Sequence, residues 1–181
     1  LKNLYKEIEG IAEESRDDKI AIFISNVKEN ILFIETILHG LKMYSECIRG
    51  EYNFEDIGMR RVVEESLLIF KSMINETSAT VEIEDDLPHV VVDVEKIKIA
   101  LGCLIENAIR FRKTGFKPKI KIGSEICDKE IKFSINDNGI GMNKKDVDIF
   151  FKVYKEFPKT SIGKGMGLAI AKKIVEEHKG R

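Results

Sequence analysis

The sequence predicts an α+β protein: an antiparallel helical hairpin at the amino terminus, then a two-layer sandwich with helices covering one face of a mixed or antiparallel sheet. Three observations carry this. Apolar residues recur at alternating spacings of four and three through Ile20, Ile24, Val27, Ile31, Ile34, Leu38 and Leu41, an unbroken seam over three heptads. Lysine alternates with isoleucine from Lys119, and a second run with Ile131, Phe133 and Ile135 on one face follows a short turn. Between and after these runs lie segments with helical apolar spacing.

The hairpin comes first. Leu1, Leu4, Ile8 and Ile11 are spaced three, four and three apart, and the charged stretch Glu13 to Lys19 interrupts the rhythm before the longer seam begins. Such a seam supercoils against partners. Two helices joined by a polar loop make half of a four-helix bundle, which a second copy completes, so a homodimer is expected. An ordinary amphipathic helix on a globular core is the plainer alternative at this point. Arg49 to Asp56, with Gly50 and Asn53, is a polar connection and the best boundary, dividing the chain into residues 1–52 and 53–181. A helix follows with Val62, Val63, Leu67, Phe70 and Ile74 at helical spacing. Thr80 to Glu84 alternates as a strand, and Val90-Val91-Val92 after Pro88 is a short apolar one. Asp93 suits the N-cap of a helix reaching to about Phe111. Lys119 to Ile126 and Ile131 to Asn136 form a hairpin through Cys127-Asp128-Lys129. The second of these strands has little left to pair with, and an open apolar edge is unfavourable. Further strands are therefore expected after Arg181, and Leu1 in place of methionine points to a longer parent.

Composition narrows the function classes. The 181 residues are 43% hydrophobic and 34% charged, with a formal net charge of −1. That supplies a real core and gives no basic excess for nucleic-acid binding. No apolar run approaches the ~18 residues of a membrane span, and no signal peptide is present, so no membrane contact is expected of this segment. Cys47, Cys103 and Cys127 are far apart and odd in number. They suggest neither disulfides nor a metal cluster, and a cytoplasmic setting follows.

The chemistry lies in the last third. Asp137-Asn138-Gly139-Ile140-Gly141-Met142 places an aspartate at the end of a strand expected to be buried. A carboxylate there requires a donor. The exocyclic amine of adenine is one, and Gly139 and Gly141 let the backbone pass close to a flat base. The bland reading is a tight turn that Asp137 merely caps. Gly163-Lys164-Gly165-Met166-Gly167-Leu168 begins 26 residues after Asp137 and runs into a helix. Free N–H groups and the helix dipole converge there, which suits a polyphosphate. The residue after Gly163-Lys164 is Gly165 rather than serine or threonine, so this is not a P-loop, and no strand precedes it as in a dinucleotide fingerprint. Asn107 lies on an apolar helix among Leu101, Leu104, Ile105 and Ala108. Its amide oxygen can serve a hydrated magnesium ion held by phosphates, although a lone core asparagine is more often simply hydrogen-bonded.

Taken in order, the segments resemble the catalytic ATP-binding domain of sensor histidine kinases, a class shared with DNA gyrase, mismatch-repair proteins and a large chaperone. Leu104-Ile105-Glu106-Asn107-Ala108-Ile109-Arg110-Phe111 is similar to the asparagine box, Asp137 to Met142 to the first glycine box, and Gly163 to Leu168 to the second. Phe150-Phe151-Lys152-Val153-Tyr154 resembles the phenylalanine-containing segment between them, and Ala169 to Gly180 the helix that follows. Ile109-Arg110-Phe111 and a short lid are closest to the phytochrome-like branch. The resemblance covers about Asp56 to Arg181 and implies a Bergerat-type ATP fold. It implies that Asn107 holds magnesium, Asp137 reads adenine, Arg110 reaches the phosphates and Phe111 packs near the base. Gly163, Gly165 and Gly167 would close a lid over the triphosphate, ending at Leu168. The heptad helices, ending in Leu41-Lys42-Met43-Tyr44-Ser45, resemble the dimerisation and histidine-phosphotransfer hairpin.

Two departures stand out. The family's acceptor histidine, with its acidic neighbour and nearby proline-leucine, has no counterpart here, and it is expected just upstream of Leu1. His39 lacks the acidic neighbour and reads as a bundle residue. His89 follows Pro88 in a turn, and His178 sits at a helix C-terminus, a favourable place for partial positive charge. The second departure is Cys103, where the asparagine box usually carries a polar residue one turn before Asn107; a thiol is a poor partner for magnesium. The resemblance thus implies an ATP- and Mg2+-dependent protein histidine kinase core that serves a response-regulator receiver domain. The alternatives are a degenerate dimeric signalling module that binds ATP weakly or not at all, and a hydrolysing ATPase, which this hairpin disfavours.

Overall fold

The computed structural model describes residues 18–49, 51–128, 130–143, 151 and 166–181. The chain divides into two compact units, Leu1–Ser45 and Glu46–Arg181.

Helix α1, Asp18–Arg49, covers the stretch expected to form the second hairpin helix. Its heptad seam is unevenly covered: Ile24 and Ile31 are buried, whereas Ile20, Ile34, Leu38 and Leu41 remain 41–52% exposed. The first hairpin helix, expected around Leu1 to Ile11, lies outside the described residues.

The second unit opens with a strand that the sequence did not announce. Phe54–Gly58 (β1) pairs antiparallel with His89–Asp93 (β3), from Phe54 opposite Asp93 to Gly58 opposite His89. The polar stretch Arg49 to Asp56 is therefore only partly a connection, and His89 begins a strand rather than occupying a turn. Helix α2, Met59–Ile69, and helix α3, Lys71–Thr77, replace the single helix expected there. The break at Phe70, φ −97° and ψ 8°, leaves Leu68 and Ile69 exposed while Phe70, Met73 and Ile74 pack on the core.

Thr80–Ile83 (β2), Lys119–Cys127 (β4) and Glu130–Asp137 (β5) form a mixed sheet in the order β2-β4-β5. β2 runs parallel to β4, and β4 antiparallel to β5. Among the described strands β2 and β5 each have one neighbour in this sheet, and Ile131 and Phe133 of β5 are more than a third exposed. Helix α4, Val94–Arg110, crosses the centre of the core, where Ile105 and Ile109 are almost wholly enclosed by Val62 and Val63 of α2 and Ile120 and Ile122 of β4. Lys98 of α4 reaches Glu65 of α2 at 2.7 Å. The Lys98 hydrogen bond, then the Arg61 one, holds the Glu65 carboxyl below its usual range. Helix α5, Gly167–Glu177, packs on α4 through Ala169, Ile170, Ala171 and Ile174.

Asp93 fastens several of these elements. Its Oδ1 accepts from Lys96 N at 3.0 Å as the N-cap of α4, and its Oδ2 accepts from Asn53 N at 2.9 Å. Its own N–H donates to Nε2 of His178 at 3.0 Å, while Nδ1 of His178 lies 2.7 Å from the Ile174 carbonyl. A main-chain N–H can only donate, so Nε2 is the acceptor in the bond from Asp93. The ring thus clasps the end of α5 to β3, and Tyr52 and Phe54 pack edge-on against it. Asp93→Ala removes the cap and strands the Asn53 N–H. Chemical denaturation is expected to show a loss of about 1–2 kcal/mol.

Candidate functional site

The asparagine segment, the first glycine segment and the described part of the second, from Met166, meet around the C-terminal half of α4. Its last turn presents Asn107, and Phe111 N closes the helix on the Asn107 carbonyl at 2.9 Å. Phe111 is half-buried, and its carbonyl accepts from Ile140 N at 2.9 Å. One main-chain hydrogen bond thus joins the asparagine segment to the first glycine segment, 29 residues further along. Among the described residues the Asn107 amide has no hydrogen-bond partner, which leaves its oxygen available. Nε of Arg110 lies 3.2 Å from Oε1 of Glu106, so its guanidinium is steered along α4 by its i−4 neighbour.

Asp137 ends β5 opposite Ile120. The carboxylate was expected on a buried strand; among the described residues it is exposed. Oδ1 accepts from Gly139 N at 2.7 Å, an Asx-type turn, whereas Oδ2 has no hydrogen-bond partner among the described residues. Turn-capping and a free acceptor are thus combined in one side chain. Gly139 is required by close approach: a Cβ there would lie 2.6 Å from the Phe111 carbonyl oxygen and 2.7 Å from Oδ1 of Asp137. Gly141 is required by conformation, with φ +73°.

The second glycine segment is described from Met166 onward, and Gly163 and Gly165 lie outside the described residues, as does most of the phenylalanine-containing segment. Gly167 opens α5, and a Cβ on it would lie 3.4 Å from Cβ and 3.6 Å from Sγ of Cys103. The start of α5 is thereby seated one turn before Asn107 on α4. Met166 at the N-cap offers no side-chain hydrogen bond, so the first N–H groups of α5, near Leu168, carry no side-chain cap. Phe151 is described, with Lys172 Nζ 5.9 Å from its ring centre. His39 lies on α1, and His89 is exposed beside Asp56 at 3.4 Å. No cluster of three His, Cys, Asp or Glu side chains suited to a metal occurs among the described residues. No helix among them is long and apolar enough to cross a membrane.

Sequence reasoning did not single out Asn138. Its Oδ1 accepts from Lys119 N at 2.9 Å and its Nδ2 donates to the Lys117 carbonyl at 3.1 Å. The only sequence signal was its place between Asp137 and Gly139.

The family model for histidine kinase-, DNA gyrase B- and HSP90-like ATPases matches residues 92–181. Cyanobacterial phytochrome A of a Nostoc species is 32% identical over 88% of this chain and 21% of its own length. The methanogenesis regulatory histidine kinase FilI of Methanothrix harundinacea is 29% identical over 91% of this chain and 18% of its own. The chain thus spans about a fifth of these relatives. Among solved structures, the catalytic domain of histidine kinase ThkA aligns with a TM-score of 0.58 at 27% identity, covering 69% of this chain and 81% of that one. ThkA in complex with the response regulator TrrA aligns with a TM-score of 0.68 at 22% identity, covering 98% of this chain and 51% of that one, a likeness of fold.

Proposed function

Because the chain carries an ATPase domain of the histidine kinase, DNA gyrase B and HSP90-like family, we propose that it is the core of an ATP-dependent protein histidine kinase. The γ-phosphate of ATP passes to a histidine on a dimerisation hairpin and from there to a response-regulator receiver domain. The observation that carries the nucleotide part is the junction at Phe111: the Ile140 hydrogen bond sets Asp137, with one carboxylate oxygen still open, beside the turn that bears Asn107. In this reading Oδ2 of Asp137 accepts from the adenine amine, Gly139 and Gly141 let the backbone approach the base, and Phe111 packs near it. Asn107 would offer one hard oxygen to Mg2+. Arg110 and the N–H groups of Gly163, Gly165, Gly167 and Leu168 counter phosphate charge. Magnesium, when bound, supplies charge neutralisation on the transferring group.

Residues 1–52 are the dimerisation and phosphotransfer hairpin in this proposal, and 53–181 the catalytic domain, in a cytoplasmic segment. Support for the homodimer comes from Ile34 and Leu38, which α1 leaves about half exposed in an otherwise regular heptad seam. Replacing Ile31 and Leu38 together with glutamate is expected to give a monomer in sedimentation, since charge in the seam is uncompensated. A monomeric unmodified chain at high micromolar concentration, with or without added upstream sequence, defeats this part.

The acceptor decides the enzymatic part. The present chain is expected to bind Mg·ATP without phosphorylating itself. Extension upstream to a histidine followed by an acidic residue is expected to restore acid-labile phosphate on that histidine. Cys103→Asn in the extended protein is expected to leave the rate equal or higher, since an amide hydrogen-bonds hydrated magnesium or phosphate better than a thiol does. Phosphate on His39 that is lost in His39→Gln overturns the reading of that residue. The second reading, a degenerate module, is favoured by Cys103 itself, which sits against Gly167 at the start of α5. An extended protein that holds ATP and stays unphosphorylated selects it.

A further inference from the structure

We propose that Asn138 is a positioning residue that makes the site selective for adenine, an inference resting on the reading of Asp137 as the carboxylate that recognises the base. The β4–β5 ladder ends with Ile120 opposite Asp137, and the next pair in register would be Lys119 with Asn138. The main chain does not make that pair. The Asn138 side chain takes its place, accepting from Lys119 N at 2.9 Å and donating to the Lys117 carbonyl at 3.1 Å. A carboxamide carries the same donor and acceptor as a peptide group, so the ladder is continued by a side chain while the backbone turns out of the sheet.

That exchange frees the backbone for two further bonds. Gly139 N donates to Oδ1 of Asp137, and Ile140 N donates to the Phe111 carbonyl. The anchor itself is firm. Pro118, between the two lysines, is fully buried, and its carbonyl accepts from Thr80 N at 2.9 Å on β2. Asp137 is therefore fixed from both sides: by its own turn and by a clamp onto the start of the central strand. The clamp demands asparagine. Aspartate would set a second acceptor against the Lys117 carbonyl, and serine is too short to span both groups. Without the clamp the carboxylate would keep its charge but lose its aim.

Nucleotide selectivity tests this. Calorimetry compares ATP with purine riboside 5′-triphosphate, which lacks the exocyclic amine, for the unmodified chain, Asn138→Ala, Asn138→Asp and Asp137→Asn. The unmodified chain is expected to prefer ATP by roughly tenfold or more, the value of a hydrogen bond to a charged group. Asn138→Ala is expected to shrink that preference to about threefold or less, because the amine no longer meets a fixed acceptor. A variant that binds both nucleotides more weakly with the preference intact shows Asn138 to be structural only and overturns the proposal. An Asp137→Asn protein that retains the preference removes the underlying reading, and the proposal falls with it. If Asp137→Asn loses the preference and Asn138→Ala keeps it, the proposal alone fails. Should the alanine variant not fold, Asn138→Asp keeps the side chain's size and its acceptor for Lys119 and gives the same readout.

Discussion

Gly139→Ala is expected to lower ATP affinity by roughly tenfold to a hundredfold and fold stability by about 1–3 kcal/mol. The new Cβ would stand 2.6 Å from the Phe111 carbonyl oxygen, well inside contact distance, and 2.7 Å from Oδ1 of Asp137. The carbonyl cannot swing aside, because it belongs to the residue that closes α4 and it accepts the Ile140 hydrogen bond. The turn must move instead, and the break falls where Asp137, proposed to recognise the base, meets the helix that carries Asn107. Calorimetry with ATP and a chemical denaturation curve read the two effects. Wild-type affinity in the alanine variant would show that the turn moves without involving the site.

Asp137→Asn is expected to weaken ATP by about 1–3 kcal/mol while leaving the melting curve in place. The amide is the same size and its oxygen still accepts from Gly139 N. What changes is the second position, now an N–H2 that in the proposed site would meet the adenine amine donor to donor. Unchanged affinity by calorimetry would remove Asp137 from the adenine role. The two substitutions differ in kind: alanine at 139 moves the acceptor, and asparagine at 137 removes it in place.

The parts of this fold that follow from short-range patterns were readable in the sequence. The Asp93 cap and the apolar spacing after it predict a helix to about Phe111, and α4 runs Val94–Arg110. Alternating isoleucines mark β4 and β5 almost to the residue. β1 was not readable, because Phe54-Glu55-Asp56-Ile57-Gly58 has no alternation and its partner lies some 35 residues away. The break at Phe70 carries no proline or glycine to signal it. For the site, residue identities were legible but environments were not. The Ile140 N–H bond to the Phe111 carbonyl joins segments 29 residues apart, so it could not come from either segment's own neighbours in sequence. The same holds for Asn138 and His178, whose partners are main-chain groups of distant segments.

The Asn138-Gly139 pair has a chemical consequence of its own. An asparagine followed by glycine is the peptide sequence most open to ageing: the glycine nitrogen attacks the side-chain carbonyl, ammonia leaves, and the resulting succinimide opens to aspartate or isoaspartate. Here the attacking nitrogen donates to Asp137, and the amide that would be lost is clamped between Lys117 and Lys119. Folding therefore acts as the preservative of this bond, and the slow loss of ammonia from Asn138 becomes a clock that runs only while the turn is open.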